Sequence, residues 1–218
     1  MNGPLIVAGL CLRYPNQPGL LLENVSFALQ PGELLWLRGP NGSGKTSLLN
    51  CLSGVIPQHV KAELTGAINL GCADLITVPI TRRFRFLAYQ MSDPDSQIFF
   101  PRVEKELAFA LENLGLPVGE IRDRIGEEAA FFGLEGYLRR EPATLSYGEK
   151  KLLLFAVCAA LRPSLLLLDE PSSGLGDRAL EKLRAWLEKA LASGCRVVLT
   201  EHGSKMGDLA AKNLDLGH

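Results

Sequence analysis

The chain has 218 residues, 47% of them hydrophobic and 22% charged, and its 23 Lys and Arg against 24 Asp and Glu leave a formal net charge of −1. A chain of this length buries one good-sized core, or a core plus a smaller subdomain, and needs no disulfides to fold. The balanced charge argues against a basic surface that grips nucleic acid through its phosphates, and the longest apolar run, LLLFAVCAAL, is far short of the ~20 residues that span a bilayer.

The start, MNGPLIVAGLCLRY, carries no basic region ahead of its apolar residues. Cys11, Cys51, Cys72, Cys158 and Cys195 are widely spaced and form no CxxC pair, so they read as small buried hydrophobes in a reducing compartment. A cytosolic protein is expected, with any membrane role coming through a partner.

Three β-type segments open the chain: LIVAGLCLRY, LLENVSFAL and, after a turn at Pro31 and Gly32, ELLWLR. The third runs into a glycine-rich loop, followed by TSLLNCLSG with helical spacing of Leu48, Leu49 and Leu52. RFRFLAY is expected to form another strand that ends just before Gln90. From about Asp93 to Leu161 the pattern turns amphipathic, in VEKELAFALENLG and VGEIRDRIGEEAAFFG, which predicts an inserted helical subdomain. The α/β alternation then resumes with SLLLLDE, the helix RALEKLRAWLEKAL with Leu180, Leu183 and Leu187 on one side, and CRVVLT. Continuous apolar strands alternating with helices predict a mostly parallel sheet covered on both faces.

GPNGSGKT, Gly39 to Thr46, fits GxxxxGK(S/T) between a predicted strand and a predicted helix. Glycines at 39, 42 and 44 let successive N–H groups face a phosphate, and the helix adds its positive end; Pro40, Asn41, Ser43 and Ser47 complete the cradle. Lys45 would reach the β- and γ-phosphates of a nucleotide, and the Thr46 hydroxyl would ligate Mg²⁺. A glycine-rich turn with a chance lysine is the plainer reading, and the flanking strand and helix disfavour it.

LLLLDEP ends in two carboxylates just past a buried strand, where ligands of such sheets bind. Asp169 is expected in the Mg²⁺ shell and Glu170 is expected to polarise an attacking water; surface acids or a helix cap are the alternative. LSYGEKK precedes a helical run, with Ser146 as N-cap and Gly148 permitting close backbone approach, an arrangement suited to an anion although capping alone would explain it.

The order of these motifs resembles the ATP-binding cassette (ABC) ATPases over nearly the whole chain. The resemblance implies a P-loop NTPase fold of α/β class: a single ABC ATPase domain over residues 1–218, with a mostly parallel core sheet and an N-terminal antiparallel β-subdomain in about 1–90 and 162–218. The inserted α-helical signature subdomain would occupy about 91–161. It implies ATP and Mg²⁺ as cofactors, and a second ATPase subunit, identical or a diverged sister, packed head to tail. Ser146 and Gly148 would then contact the γ-phosphate held by the partner, Tyr14 would stack on adenine, a packed strand aromatic being the alternative, and Gln90, near Mg²⁺, and His202 would sense the γ-phosphate. Tyr147 stands where the family usually has glycine, Glu149 where glutamine is common, and Gly176 at the expected aspartate of SxGLD, with Asp177 one position late.

Within that family, YQMSDPDSQIFFPRVEKELAFALENLGLP is most similar to the ATPases of energy-coupling factor and cobalt or nickel importers, with two extra residues between Gln90 and Gln97. The resemblance implies that Gln97, Ile98, Phe99 and Phe100 face a transmembrane coupling subunit, and through it a substrate-binding membrane subunit, at the cytoplasmic face of the membrane. The run GEIRDRIGEE reads as a solvated helix face, and the chain stops at LAAKNLDLGH without the dimer-joining helical extension of many such ATPases, so either a short-form member or a shortened chain is expected, with low dimer affinity in the absence of ATP. The expected role is ATP-driven uptake of a vitamin or transition-metal ion. The rival roles are a soluble scaffold or remodeller, whose usual paired cassettes or large insertions this chain lacks, and a regulatory module that hydrolyses little, hinted at only by GLGD.

Overall fold

In the computed structural model, residues 3–15, 17–201, 203 and 206–217 are described. Two sheets organise the chain. An antiparallel sheet is built from β1 (Leu5–Arg13), β2 (Leu22–Leu29), β4 (Glu63–Leu70) and β5 (Ala73–Asp74), in the order β2-β1-β4-β5. A parallel sheet is built from β3 (Leu34–Arg38), β6 (Leu87–Gln90), β7 (Leu165–Asp169), β8 (Arg196–Thr200) and β9 (Lys212–Asp215), in the order β6-β7-β8-β3-β9.

In β1 the buried residues are Leu5 and Val7 and then Leu10 and Leu12, so the inward-facing parity changes halfway. The register slips at that point, and Gly9, at φ 59°, absorbs the extra residue. A Cβ on the facing Gly66 would lie 2.5 Å from the Gly9 carbonyl oxygen, so the two glycines permit the close crossing.

Helix α1 (Lys45–Ser53) leaves β3 and packs between the two sheets. Leu165 and Leu167 of β7 face it together with Leu35, Leu37, Val198 and the apolar side of β1, while Leu166 and Leu168 point to the other face. There α6 (Tyr147–Ala160) and α7 (Asp177–Ala192) cover the sheet, with Phe155 stacked on Trp186 at 5.6 Å and Phe132 meeting that indole edge-on at 5.8 Å. Phe132 ends α5 (Val118–Phe132), which with α4 (Val103–Asn113) and α6 forms the helical group between β6 and β7. β7 and β8 are buried throughout, as their unbroken apolar sequence requires.

Two stretches depart from the sequence reading. RFRFLAY contributes only its last three residues to β6, which continues through Gln90, because α3 (Ile80–Arg83) and the turn after it take up the rest. Arg83 is buried, and its guanidinium donates to the carbonyls of Val78 and Leu52 at 3.0 and 2.9 Å and to that of Leu75, beside the one-turn α2 (Val55–Gln58). A buried arginine whose donors are occupied by backbone oxygens mimics strand alternation in sequence without being in a strand. LAAKNLDLGH, in turn, supplies β9, the edge strand beside β3.

Candidate active site

The cradle begins where β3 ends. Gly39, Gly42 and Gly44 have φ of 138°, 82° and 96°, and a Cβ on Gly39 or Gly44 would fall 2.7 Å from Ser43 Oγ or Leu22 Cδ2. Only glycine satisfies both the dihedrals and the space. The loop ends at Gly44, the N-cap of α1, whose first turn contains no acidic residue to compete for an anion. Lys45 is buried, and its Nζ donates to the carbonyl oxygens of Gly39 and Pro40 at 2.8 and 2.9 Å, which holds the ammonium over the loop. Asn41, Gly42, Gly44, Lys45, Thr46 and Ser47 line a cleft of about 570 Å³ together with Gln17, Leu21 and Glu170. Tyr14 stands beside it, half-buried against the core, with its hydroxyl 3.2 Å from Ser47 Oγ.

The carboxyl ends of three neighbouring parallel strands converge on this loop. Gln90 ends β6 opposite Leu168, and Asp169 ends β7 opposite Thr200 of β8. Thr46 Oγ1 donates to Asp169 Oδ2 at 2.9 Å, and Thr200 Oγ1 donates to Asp169 Oδ1 at 2.6 Å, so α1 and β8 orient one carboxylate between them. Gln90 is fully buried; its amide nitrogen donates to the Met91 carbonyl, while its Oε1 has no hydrogen-bond partner. An unpartnered buried oxygen beside one carboxylate and one hydroxyl is a hard-oxygen set that suits Mg²⁺ completed by phosphate and water. Among the described residues no group of three or more His, Cys, Asp and Glu could hold a metal.

Glu170 adopts φ 49°, in the left-handed region that non-glycine residues avoid. Its amide donates to Thr200 Oγ1 at 2.9 Å and to the Thr200 carbonyl at 3.2 Å, which holds the turn against β8 and leaves Glu170 lining the cleft. The next link is Glu201, buried after β8, which accepts from the Ser172 amide at 2.9 Å and the Ser172 hydroxyl at 2.5 Å. Sequence reasoning passed over Thr200 and Glu201; the signal was their place beside the histidine in LTEH, at the end of the strand adjacent to β7. His202 itself lies outside the described residues.

Ser146 caps α6, accepting from the Glu149 amide at 3.3 Å while Glu149 Oε2 accepts from the Ser146 amide at 2.7 Å. That capping box explains Glu149 locally, and the Ser146 amide is the main reason its carboxyl is held below the usual range. Gly148 differs from the cradle glycines: its φ is not positive, and a Cβ there would meet nothing closer than Leu175 Cδ2 at 3.9 Å. Neither Ser146 nor Gly148 lines the Gly39–Ser47 cleft.

The stretch after Gln90 is tighter than expected. Gln97 Oε1 accepts from the Met91 amide at 2.7 Å and its Nε2 donates to the Tyr89 carbonyl at 3.0 Å, so Gln97 closes the loop on itself. Ile98 packs against the core, and Phe100 meets the Phe109 ring at 4.8 Å. Phe99 alone of the four projects, at 77% exposure, and the amides of Phe99 and Phe100 both donate to Glu106 Oε2 at 2.9 Å. Tyr89 is half-buried against the core with its hydroxyl 3.3 Å from Asn50 Oδ1; desolvation and then the Asp169 charge raise its pKa.

A larger cleft, about 710 Å³, opens beside Ser164, Trp186, Lys189 and Arg196, at the starts of β7 and β8. Ligands of parallel sheets bind at the opposite, carboxyl ends of the strands, so the smaller cleft carries the chemistry.

A family profile described as ABC transporter matches residues 22–173. The chain belongs to that family. An ABC transporter ATP-binding protein of Streptomyces coelicolor, described as putative, is 36% identical over 203 residues, which cover 91% of this chain and 69% of that protein. The energy-coupling factor transporter ATP-binding protein EcfA1 of Geobacillus kaustophilus is 38% identical over 180 residues, covering 82% of this chain and 62% of that one. Among solved structures, cbiO1 of Clostridium perfringens, described as part of the ABC transporter complex cbiONQ, superposes with a TM-score of 0.76 at 26% identity, over 91% of this chain and 78% of that one. This ABC cassette thus binds and hydrolyses ATP, and its phosphate loop and DE strand lie within the matched residues.

Proposed function

We propose that this ABC cassette is the ATPase subunit of an energy-coupling factor-like importer for a vitamin or transition-metal ion, bound peripherally at the cytoplasmic face of a membrane. The observation that carries this reading is the short link from Gln90 to Phe99. Gln97 fastens both sides of the turn, Glu106 fixes the amides of Phe99 and Phe100, and Phe99 is left projecting at 77% exposure, with Met91 exposed to a lesser degree. Gln97 is bonded to the residues on either side of Gln90 and stands two residues before Phe99. The names of EcfA1 and cbiO1 support the same subtype.

In this reading the loop amides and Lys45 hold the phosphates, Tyr14 faces the adenine, and Thr46, Asp169 and Gln90 hold Mg²⁺, which supplies charge neutralisation on the transferring phosphoryl group. Glu170 orients the attacking water and accepts its proton. Ser146 and Gly148 complete the site of a second ATPase subunit, which accounts for a glycine at 148 that one chain alone does not require. The resemblance assigns sensing of the γ-phosphate to Gln90 and to His202, the latter outside the described residues.

The test is purification of the tagged cassette from its native membranes in mild detergent. An integral membrane subunit recovered in stoichiometric amount, and lost when Phe99 is replaced by Glu, is the expected result. Recovery of soluble partners alone would favour a scaffold or remodeller.

A further inference from the structure

Lys151, the last residue of LSYGEKK, lies one turn into α6 and is fully buried, and the sequence assigns it no role. Its ammonium donates to the Glu170 carbonyl at 2.6 Å and the Pro171 carbonyl at 3.3 Å. Burial pushes its pKa down to about 8, against the charges of Glu201, Glu170 and Asp169, which act in the other direction. A buried ammonium is costly, and here its hydrogen bonds go to the backbone carbonyls of one turn while it lies over the Tyr147 ring at 5.5 Å.

That turn needs holding. Glu170 sits at φ 49°, a conformation that is strained for a non-glycine residue and persists only when its surroundings over-determine it. Thr200 fixes the Glu170 amide from β8, and Glu201 fixes Ser172 from the segment after β8. The carbonyls of Glu170 and Pro171 are held from the other side, by Lys151.

The same turn of α6 has further anchors in its own chain. The Tyr147 ring lies where a Cβ on Gly174 would approach it to 2.6 Å, and its hydroxyl donates to the Ser92 carbonyl at 3.2 Å. Lys150 Nζ pairs with Asp95 Oδ1 at 2.6 Å. The start of α6, which carries Ser146 and Gly148 outward, is therefore tied inward to the turn after Gln90, to Gly174 and to the Glu170 backbone.

We propose that Lys151 is a positioning residue for hydrolysis: it couples the signature helix to the backbone of Glu170 in the same chain, so that the placement of the Glu170 carboxylate follows the position of α6. This rests on the reading of Glu170 as the residue that orients the attacking water. The conformation of one chain's signature helix thereby acts on that chain's own hydrolytic turn, in addition to the site of the second subunit. Tyr147 and Lys150 extend the same linkage to the turn after Gln90.

The experiment is a double-mutant cycle in steady-state ATP hydrolysis with Mg²⁺, using Lys151→Met, Glu170→Gln and the double variant, with kcat and KM read separately. Lys151→Met is expected to lower kcat about tenfold and leave KM within about twofold, because a misplaced Glu170 weakens the transition state and not nucleotide binding. In the Glu170→Gln background the same change is expected to lower kcat by less than about twofold more. Wild-type kcat in Lys151→Met, an effect confined to KM, or multiplicative losses in the double variant would overturn the proposal. If Lys151→Met fails to fold, Lys151→Gln is read in its place, and inability of both to bind ATP contradicts a purely positioning role. Glu170→Gln alone separates the two ideas: if it hydrolyses at the wild-type rate, the reading of Glu170 fails; if it is slow while Lys151→Met is not, only the role of Lys151 fails.

Discussion

Replacing Gly148 by Asp separates what one chain requires at that position from what a composite site requires. Within the chain the substitution is tolerated, since a Cβ at Gly148 meets nothing closer than 3.9 Å and the residue lies in the first turn of α6. Removing a helical glycine recovers a few tenths to about 1 kcal/mol, and a carboxylate near a helix N-terminus adds about 0.3–1 kcal/mol. Thermal unfolding of the isolated cassette should therefore shift upward slightly or not at all. Opposite the γ-phosphate of a second subunit, the same carboxylate brings like charges together: at about 4 Å and an effective dielectric of about 20 the repulsion is about 4 kcal/mol. Steady-state hydrolysis should fall by roughly 10² to 10³-fold at protein concentrations where the wild type is active, with ATP binding to the single chain retained. A variant that unfolds earlier, or that hydrolyses ATP at the wild-type rate, would refute the reasoning.

The remaining predictions concern the cation and the membrane face. Thr46→Ala removes the hydrogen bond to Asp169 Oδ2 at 2.9 Å while Thr200 still holds Oδ1. A loss of about 1 kcal/mol in stability is expected, with a rise on the order of tenfold or more in the Mg²⁺ concentration giving half-maximal hydrolysis; denaturant unfolding and a Mg²⁺ titration measure them. Phe99→Glu changes a side chain that is 77% exposed, so melting should move by less than about 0.5 kcal/mol and basal hydrolysis should stay level while recovery of the membrane subunit drops about tenfold.

Motifs that act through backbone geometry were legible in the sequence because they impose residue types at fixed spacing. Gly39 and Gly44 need glycine for both dihedral and space, and the unbroken apolar runs of β7 and β8 announce strands covered on both faces. The carboxylates of Asp169 and Glu170 could be placed from those strands alone. Side chains that work by reaching across the fold were not legible. Arg83 looked like the polar face of a strand, yet it is buried and bonded to carbonyls 5 and 31 residues away. The Gln97 amide closes the loop back to Tyr89 and Met91, a contact that its place in the sequence does not announce. Lys151 is one of two adjacent lysines: Lys150 reaches Asp95, whereas Lys151 turns inward to Glu170, and helical position alone cannot tell which carbonyls lie beneath it. Glu149 makes the capping bond to the Ser146 amide that a glutamine there would also make. β9 went unpredicted because a four-residue edge strand with alternating half-buried and exposed residues carries little apolar signal.

The most direct test of the account is the Mg²⁺-dependent hydrolysis rate of Glu170→Gln beside its affinity for ATP. Glutamine keeps the size of the side chain and removes its ability to take a proton from water, so the account predicts ATP affinity within about twofold of wild type and turnover lowered by a factor of about 10² or more. Unchanged turnover with intact binding would contradict the assignment of Glu170 and the mechanism built on it.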